Sequence, residues 1–178
     1  MVLPEAIVDT SVLIAMHHLG VWNCLNLLYT KVYVPRAVER EFLARKDMDE
    51  PMLSKHHKFL EHIYSLPWVE ACSDYDSVIV GMYNMEKGIH LGESEAFAQW
   101  QALGNIPEVL VDDRKARSLA RIEKIEHHGT MYLLALLEIR LKCIRYYQAA
   151  EKLRKELKFR INDKTVEEVY RNVKNRLL

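Results

Sequence analysis

Three short apolar segments each run straight into a helix-forming stretch, and this alternation constrains the fold more than any other feature of the chain. Residues 5–8 lead into residues 12–28, residues 31–34 lead into a stretch opened by Pro35, and residues 108–111 lead into residues 114–125. Runs of this length and β-branched character, bounded by cap and turn residues, read as buried strands. A fourth strand is expected at residues 68–72. Helices are expected from Pro35 to about Arg45, at 55–65, from an Asp74 cap to about Lys87, at 92–103, 131–143, 148–157 and 164–177. Ser11 is the expected cap of the first helix and Gly88 the stop of the one opened by Asp74. Residues 46–54 read as a charged connection. Strands alternating with helices predict an α/β domain: three layers, α/β/α, around a central, mostly parallel sheet. In such sheets functional groups gather beyond the carboxyl ends of the strands.

The chain has 178 residues, enough for one domain with a sizeable core, and one domain spanning residues 1–178 is expected. Its 49% apolar and 28% charged content suits a soluble globular protein. Net charge is zero, so composition gives no global attraction to nucleic acid. The distribution is uneven: residues 139–178 hold 12 Lys/Arg against 5 Asp/Glu, leaving 13 and 20 for the first 138. The basic tail reads either as a solvated helical face or as a wall beside an acidic pocket. Cys24, Cys72 and Cys143 are far apart and form no CxxC pair, which argues against a zinc or disulfide framework and fits a cytoplasmic setting. No run approaches the ~18 apolar residues of a spanning helix, so no membrane partner is expected.

Acidic residues fall at the places where this fold would gather chemistry. Asp9 ends the first strand. With Ser11 taken as the cap, Asp9 is expected to point into a cleft. Glu41 lies on the helix after Pro35: counting ~100° per residue from Ala37, it falls near ~40°, inside the arc of Val38 (~100°) and Phe42 (~140°). A carboxylate on a core-facing stripe is costly unless paired or metal-bound. Glu93 and Glu95 open the helix at 92–103 and, two residues apart, point to opposite sides. Asp112 and Asp113 end the strand at 108–111, and Asp113 also reads as the cap of the next helix. Two carboxylates ~4 Å apart repel by about 4 kcal/mol at an effective dielectric near ~20. A convergence of four therefore calls for a cation, and oxygen-only ligands suit Mg²⁺ or Mn²⁺.

At this point the chain resembles the PIN-domain superfamily of nucleases over about residues 5–130, with residues 131–178 as a helical extension. The resemblance rests on Ile7-Val8-Asp9-Thr10-Ser11, on Val34-Pro35 followed by Glu41, on Glu95-Ala96-Phe97-Ala98 with Glu93 beside it, and on Asp112 or Asp113. Gly92-Glu93-Ser94-Glu95-Ala96, Asp112-Asp113-Arg114 with Arg117, and Gly129-Thr130 are similar to one largely unassigned branch. That branch often has Gly and Lys where this chain has Tyr132 and Glu138. The resemblance implies Mg²⁺- or Mn²⁺-dependent RNA cleavage leaving 5′-phosphate and 3′-hydroxyl ends. It further implies a frequent role as the toxin of a toxin–antitoxin pair, and homodimers. The implied catalytic and metal set is Asp9, Glu41, Glu93, Glu95, Asp112 and Asp113. Arg114 and Arg117, one turn apart, read either as a phosphate-binding pair or as surface salt-bridge partners, and Thr10, Ser11 and Thr130 as holders of metal-bound water, with capping the other reading of Ser11. Two rivals stand beside this reading: a PIN-like module that only binds, and a phosphatase of the haloacid dehalogenase type. The latter wants a second Asp two residues after the first, where this chain has Ser11. The pairs His17-His18, His56-His57 and His127-His128 lack metal-ligand spacing and read as structural or exposed.

Overall fold

The computed structural model describes residues 3–44, 49–104 and 107–177. Five parallel strands form one sheet in the order β3-β2-β1-β4-β5: β1 Glu5–Val8, β2 Lys31–Pro35, β3 Val69–Cys72, β4 Glu108–Leu110 and β5 His127–His128. Nine α-helices accompany them among the described residues: α1 Thr10–Leu19, α2 Arg36–Leu43, α3 Glu50–Tyr64, α4 Ser77–Gly81, α5 Leu91–Ala102, α6 Arg114–Ile122, α7 Thr130–Leu141, α8 Tyr146–Leu157 and α9 Asp163–Leu177.

Side-chain alternation along each strand divides the core into two layers. Ala6, Val8, Val32, Val34 and Leu110 face one way and pack against α1, α3, α7, α8 and α9. Ile7, Tyr33, Val109 and Val111 face the other way and meet Tyr83, Ala96, Phe97 and the apolar face of α6. The fold is the expected three-layer α/β/α arrangement, and its sheet is wholly parallel. After β1 the chain builds β2 and β3 on one side, then crosses to build β4 and β5 on the other. The crevice beyond the ends of β1 and β4 is thus the switch point where doubly wound sheets place their ligands.

Several elements differ from expectation for local reasons. The first helix stops at Leu19, because Gly20 takes φ 68° and its N–H closes onto Met16 and His17; residues 22–27 form a separate 3₁₀ turn. Asp9, and not Ser11, caps that helix. Asp76, and not Asp74, caps the helix before Gly88, and that helix loosens into a π turn over Met82–Glu86. Asp49 caps α3, so much of the expected connection is already helical; residues 45–48 and the expected end of α2 at Arg45 lie outside the described residues. The pair His127-His128 forms the edge strand β5. His17 and His56 sit in an aromatic cluster with Phe42 and Phe59. Glu138 accepts from the N–H of Tyr146 at the start of α8 (2.8 Å), and Tyr132 stacks on His128 with ring centres 3.6 Å apart.

Candidate active site

Asp9 follows β1, and its N–H donates to the carbonyl of Leu110 on β4 (3.0 Å), which ties the two strand ends together. Its side chain is 1% exposed. Oδ1 accepts from the N–H of Val12 (2.8 Å), capping α1, and Oδ2 accepts from the hydroxyl of Ser11 (2.7 Å). Asp112 follows β4. Its own N–H points at Asp9 Oδ2 (3.4 Å), its Oδ1 accepts from the N–H of Thr130 (2.8 Å), and its Oδ2 accepts from the Thr130 hydroxyl (2.5 Å). Glu41, half-buried on α2, accepts from the N–H of Gly92 (3.0 Å) and from the hydroxyl of Thr10 (2.5 Å).

These three carboxylates follow one plan. Each takes one backbone N–H from the first turn of a helix (α1, α7 and α5 respectively) and one hydroxyl. The positive ends of three helix dipoles therefore aim at the same acidic crevice and partly offset its repulsion. Thr10, Ser11 and Thr130 all spend their hydroxyl protons on carboxylates.

Glu93 sits in the first turn of α5, is 9% exposed, and has an Oε2 atom buried with no hydrogen-bond partner. A buried carboxylate oxygen without a donor is costly. Burial holds the carboxyl of Glu93 above its ordinary protonation range, and Asp113 and Glu41 add to the shift. Asp9 is raised well above its range, first by burial, next by Asp112, and further by Glu93; Val12 N–H and Ser11 oppose this. Asp112 is raised by burial against the lowering pull of Thr130 and Arg117. Asp9, Glu93, Asp112, Asp113 and Glu41 thus share one electrostatic neighbourhood.

Glu95 has other company. Its carboxylate accepts from the N–H of Ala37 in the first turn of α2 (2.5 Å) and pairs with Arg40 (2.8 Å), and Tyr75 hydrogen-bonds to it as well. Asp113 accepts from the N–H groups of Lys115 and Ala116 through Oδ1 (2.8 Å each), which caps α6.

Two glycines make room for the carboxylates, a steric role not anticipated from the sequence. A Cβ on Gly92 would lie 2.9 Å from Glu41 Oε2 and 3.0 Å from Thr10 Oγ1. A Cβ on Gly129 would lie 2.7 Å from Asp112 Oδ1. The signal available in the sequence was weak: both glycines stand immediately before or at a helix start, where caps are also common.

Asp112, Asp113, Ser11, Arg114 and Arg117 open onto a cleft of about 760 Å³. Its other side is formed by Tyr132 and by residues around Phe159 and Thr165, which sequence reasoning gave no place in the site. Among the described residues, no three Asp, Glu, His or Cys side chains stand arranged to hold an ion; the hydroxyls occupy the oxygens instead. The donor set nonetheless suits a hard cation. It is all oxygen, it is buried or half-buried, its members raise one another's proton affinity, and one of its oxygens lacks a donor.

The family model for DUF3368, described as a PIN domain, matches residues 5–175. The chain belongs to this PIN-domain family. The match runs through the C-terminal helices as well as the sheet. PIN domains are generally nucleases and typically use divalent metal ions. No curated protein matches the chain. No helix among the described residues is long and apolar enough to cross a membrane.

Proposed function

We propose that this PIN domain is a ribonuclease that depends on Mg²⁺ or Mn²⁺. The observation that carries the reading is the cluster of buried Asp9 and Glu93 with half-buried Asp112 at the switch point, with Glu41 beside it and the orphaned Oε2 of Glu93 within it. Asp9, Glu93 and Asp112, with Glu41, would hold the ion. Asp113 and Glu95 hold the starts of α6 and α2 in place around it. A bound divalent ion supplies an activated water and a charge to stabilise the leaving oxygen of a phosphodiester.

The chain's own residues do the rest. Backbone N–H groups of three helices fix the direction of each carboxylate. The hydroxyls of Thr10, Ser11 and Thr130 can rotate, so they hold the carboxylates without blocking them and can orient a water. Arg114 and Arg117 flank the acids and can take phosphate oxygens. We read the chain as one domain, with a core of residues 5–130 completed by the helical extension. Family resemblance alone extends the reading to a toxin role with an antitoxin partner, to a homodimer and to the cytoplasm.

Cleavage of single-stranded RNA in Mn²⁺ or Mg²⁺ tests the proposal. Asp9→Asn keeps a good cap for α1, so it should fold and lose at least about 100-fold in kcat, as expected when a buried ligand's charge is removed. Cleavage that persists in EDTA, or is untouched in Asp9→Asn, refutes the mechanism. Phosphate released from a small phosphomonoester without RNA cleavage would favour the phosphatase reading.

A further inference from the structure

The cleft has a second wall, and the tail builds it. Helix α8 ends at Lys158, which takes φ 52°, and the N–H of Phe159 closes back onto the carbonyl of Leu153 (3.2 Å). The N–H of Ile161 then donates to the carbonyl of Phe159 (3.0 Å), and Asn162 caps α9 by accepting from the N–H and hydroxyl of Thr165 (2.8 and 3.0 Å). The connector between α8 and α9 is therefore held at both ends. Phe159 and Ile161 pack against the main core. Arg160, between them, is exposed and lines the cleft that contains Asp112 and Asp113.

The charges around this cleft are unbalanced in an informative way. Part of the tail's positive charge is already paired: Arg154 with Asp163, Lys155 with Glu151 and Lys164 with Glu168. Arg160 has no ion pair or hydrogen bond among the described residues, and neither do the side chains of Arg114 and Arg117; Arg117 Nε is buried without a partner.. No acidic side chain lines the tail's side of the cleft. Three unpaired guanidinium groups thus border one opening, with two on the catalytic side and one on the tail's side. Guanidinium groups left unpaired around a cleft suit phosphate oxygens.

We infer that the α8–α9 connector is a substrate-binding wall, and that Arg160 holds a phosphate of the RNA strand next to the one being cleaved. This rests on the ribonuclease reading above. Arg160 acts in binding and positioning, away from the reacting atoms. Its loss should raise KM and leave kcat at saturating RNA nearly unchanged.

The test uses the full chain and a short single-stranded RNA of mixed sequence with a 5′ fluorophore. Binding is followed by anisotropy in Ca²⁺ at several salt concentrations, and cleavage in Mn²⁺. Arg160→Ala should weaken binding roughly five-fold or more and flatten the slope of log affinity against log salt by about 0.7, the loss of one phosphate contact on a single strand. Arg160→Glu should weaken binding further, and Arg160→Lys should restore most of it. Lys152→Ala removes an exposed positive charge of α8 outside the cleft and should change neither quantity. Wild-type affinity and salt slope in Arg160→Ala would overturn the inference while leaving metal-dependent cleavage intact. Failure of the wild-type chain to bind the strand at all would overturn it too. Cleavage that survives EDTA would instead strike the ribonuclease reading.

Discussion

Replacing Gly92 by Ala sets two effects against each other that the structure allows to be separated. Gly92 lies in the first turn of α5, so Ala should favour the helix by about 1 kcal/mol. The added Cβ would meet Glu41 Oε2 at 2.9 Å and Thr10 Oγ1 at 3.0 Å. Both atoms end side chains that can move, so the fold survives and Glu41 swings away. It then loses its bond to Gly92 N–H, while the Thr10 hydroxyl can turn with it, and one hydrogen bond to a charged group is worth about 1.5–3 kcal/mol. The net expectation is a destabilisation of roughly 0.5–2 kcal/mol. At about 2–4 °C per kcal/mol for a chain of this size, the melting temperature should fall by about 1–8 °C. In a Glu41→Ala background only the Thr10 hydroxyl stays near the new Cβ, and with no carboxylate to hold it there it can turn aside, so the same Gly92→Ala change should raise the melting temperature by about 2–4 °C. The sign reversal across this double-mutant cycle is the readout, measured by thermal melts of the metal-free protein. Gly92→Ala alone should also lose at least about tenfold in RNA cleavage, the kinetic equivalent of 1.4 kcal/mol. The same shift, in sign and size, in both backgrounds would refute the claim that Gly92 is there to admit Glu41.

Two further outcomes follow from the same site. Asp9, Glu93 and Asp112 hold protons more tightly folded than unfolded, so their contribution to stability is full at low pH and is lost as pH rises through the folded values. His17 and His128, pushed down to about 4 by burial, act oppositely: their contribution grows from about pH 4 and is complete above about 6.5. Melting temperature in EDTA should therefore carry two opposed contributions, a fall with pH from the carboxyl groups and a rise from the histidines that is complete by about pH 6.5; Asp9→Asn should remove part of the fall, and an unchanged profile would contradict the raised proton affinity of Asp9. Second, Glu93→Gln and Glu95→Gln should part company. The Glu93 change should abolish cleavage and leave the metal-free melting temperature equal or higher. The Glu95 change, which weakens the anchor on Ala37 N–H and Arg40, should lower it by about 2–6 °C while retaining more activity, on the scale of one charged hydrogen bond. Equal loss of activity in both would place Glu95 among the ligands.

The layers were legible because burial leaves a simple trace: the strand segments are short apolar runs, and the helices carry caps and periodic faces. What escaped lacks such a trace. His127-His128 is too short and too polar to announce a strand, and only the free edge of β4 recruits it. The end of α1 depends on Gly20 entering the left-handed region within a stretch whose apolar residues keep helical spacing to Leu28. Both Asp74 and Asp76 are good caps, and only the chain's path from β3 decides between them. In the site, the acids on separate elements could be named one by one. The choice between Glu93 and Glu95 could not, because it turns on which side of α5 faces the sheet's carboxyl edge. Arg160 was hidden for a different reason: as one of many cations in a basic tail, it is distinguished only by its place on the cleft, which the connector's path decides.

Asp9 combines two duties that look exclusive in the sequence, capping a helix and facing the site, and Ser11 is the expected cap only if they are. A carboxylate has two oxygens and about four lone-pair sites, enough for both. Asp9 gives Oδ1 to Val12 N–H and turns Oδ2 toward Ser11 and Asp112. Capping then becomes the means of orientation: the backbone donor cannot rotate, so it sets the plane of the carboxylate, while the hydroxyl can turn aside. Glu41 and Asp112 repeat the arrangement with Gly92 and Thr10, and with the N–H and hydroxyl of Thr130. The crevice is thus preorganised by three helix starts, which fix the directions of the carboxylates proposed above to hold the ion.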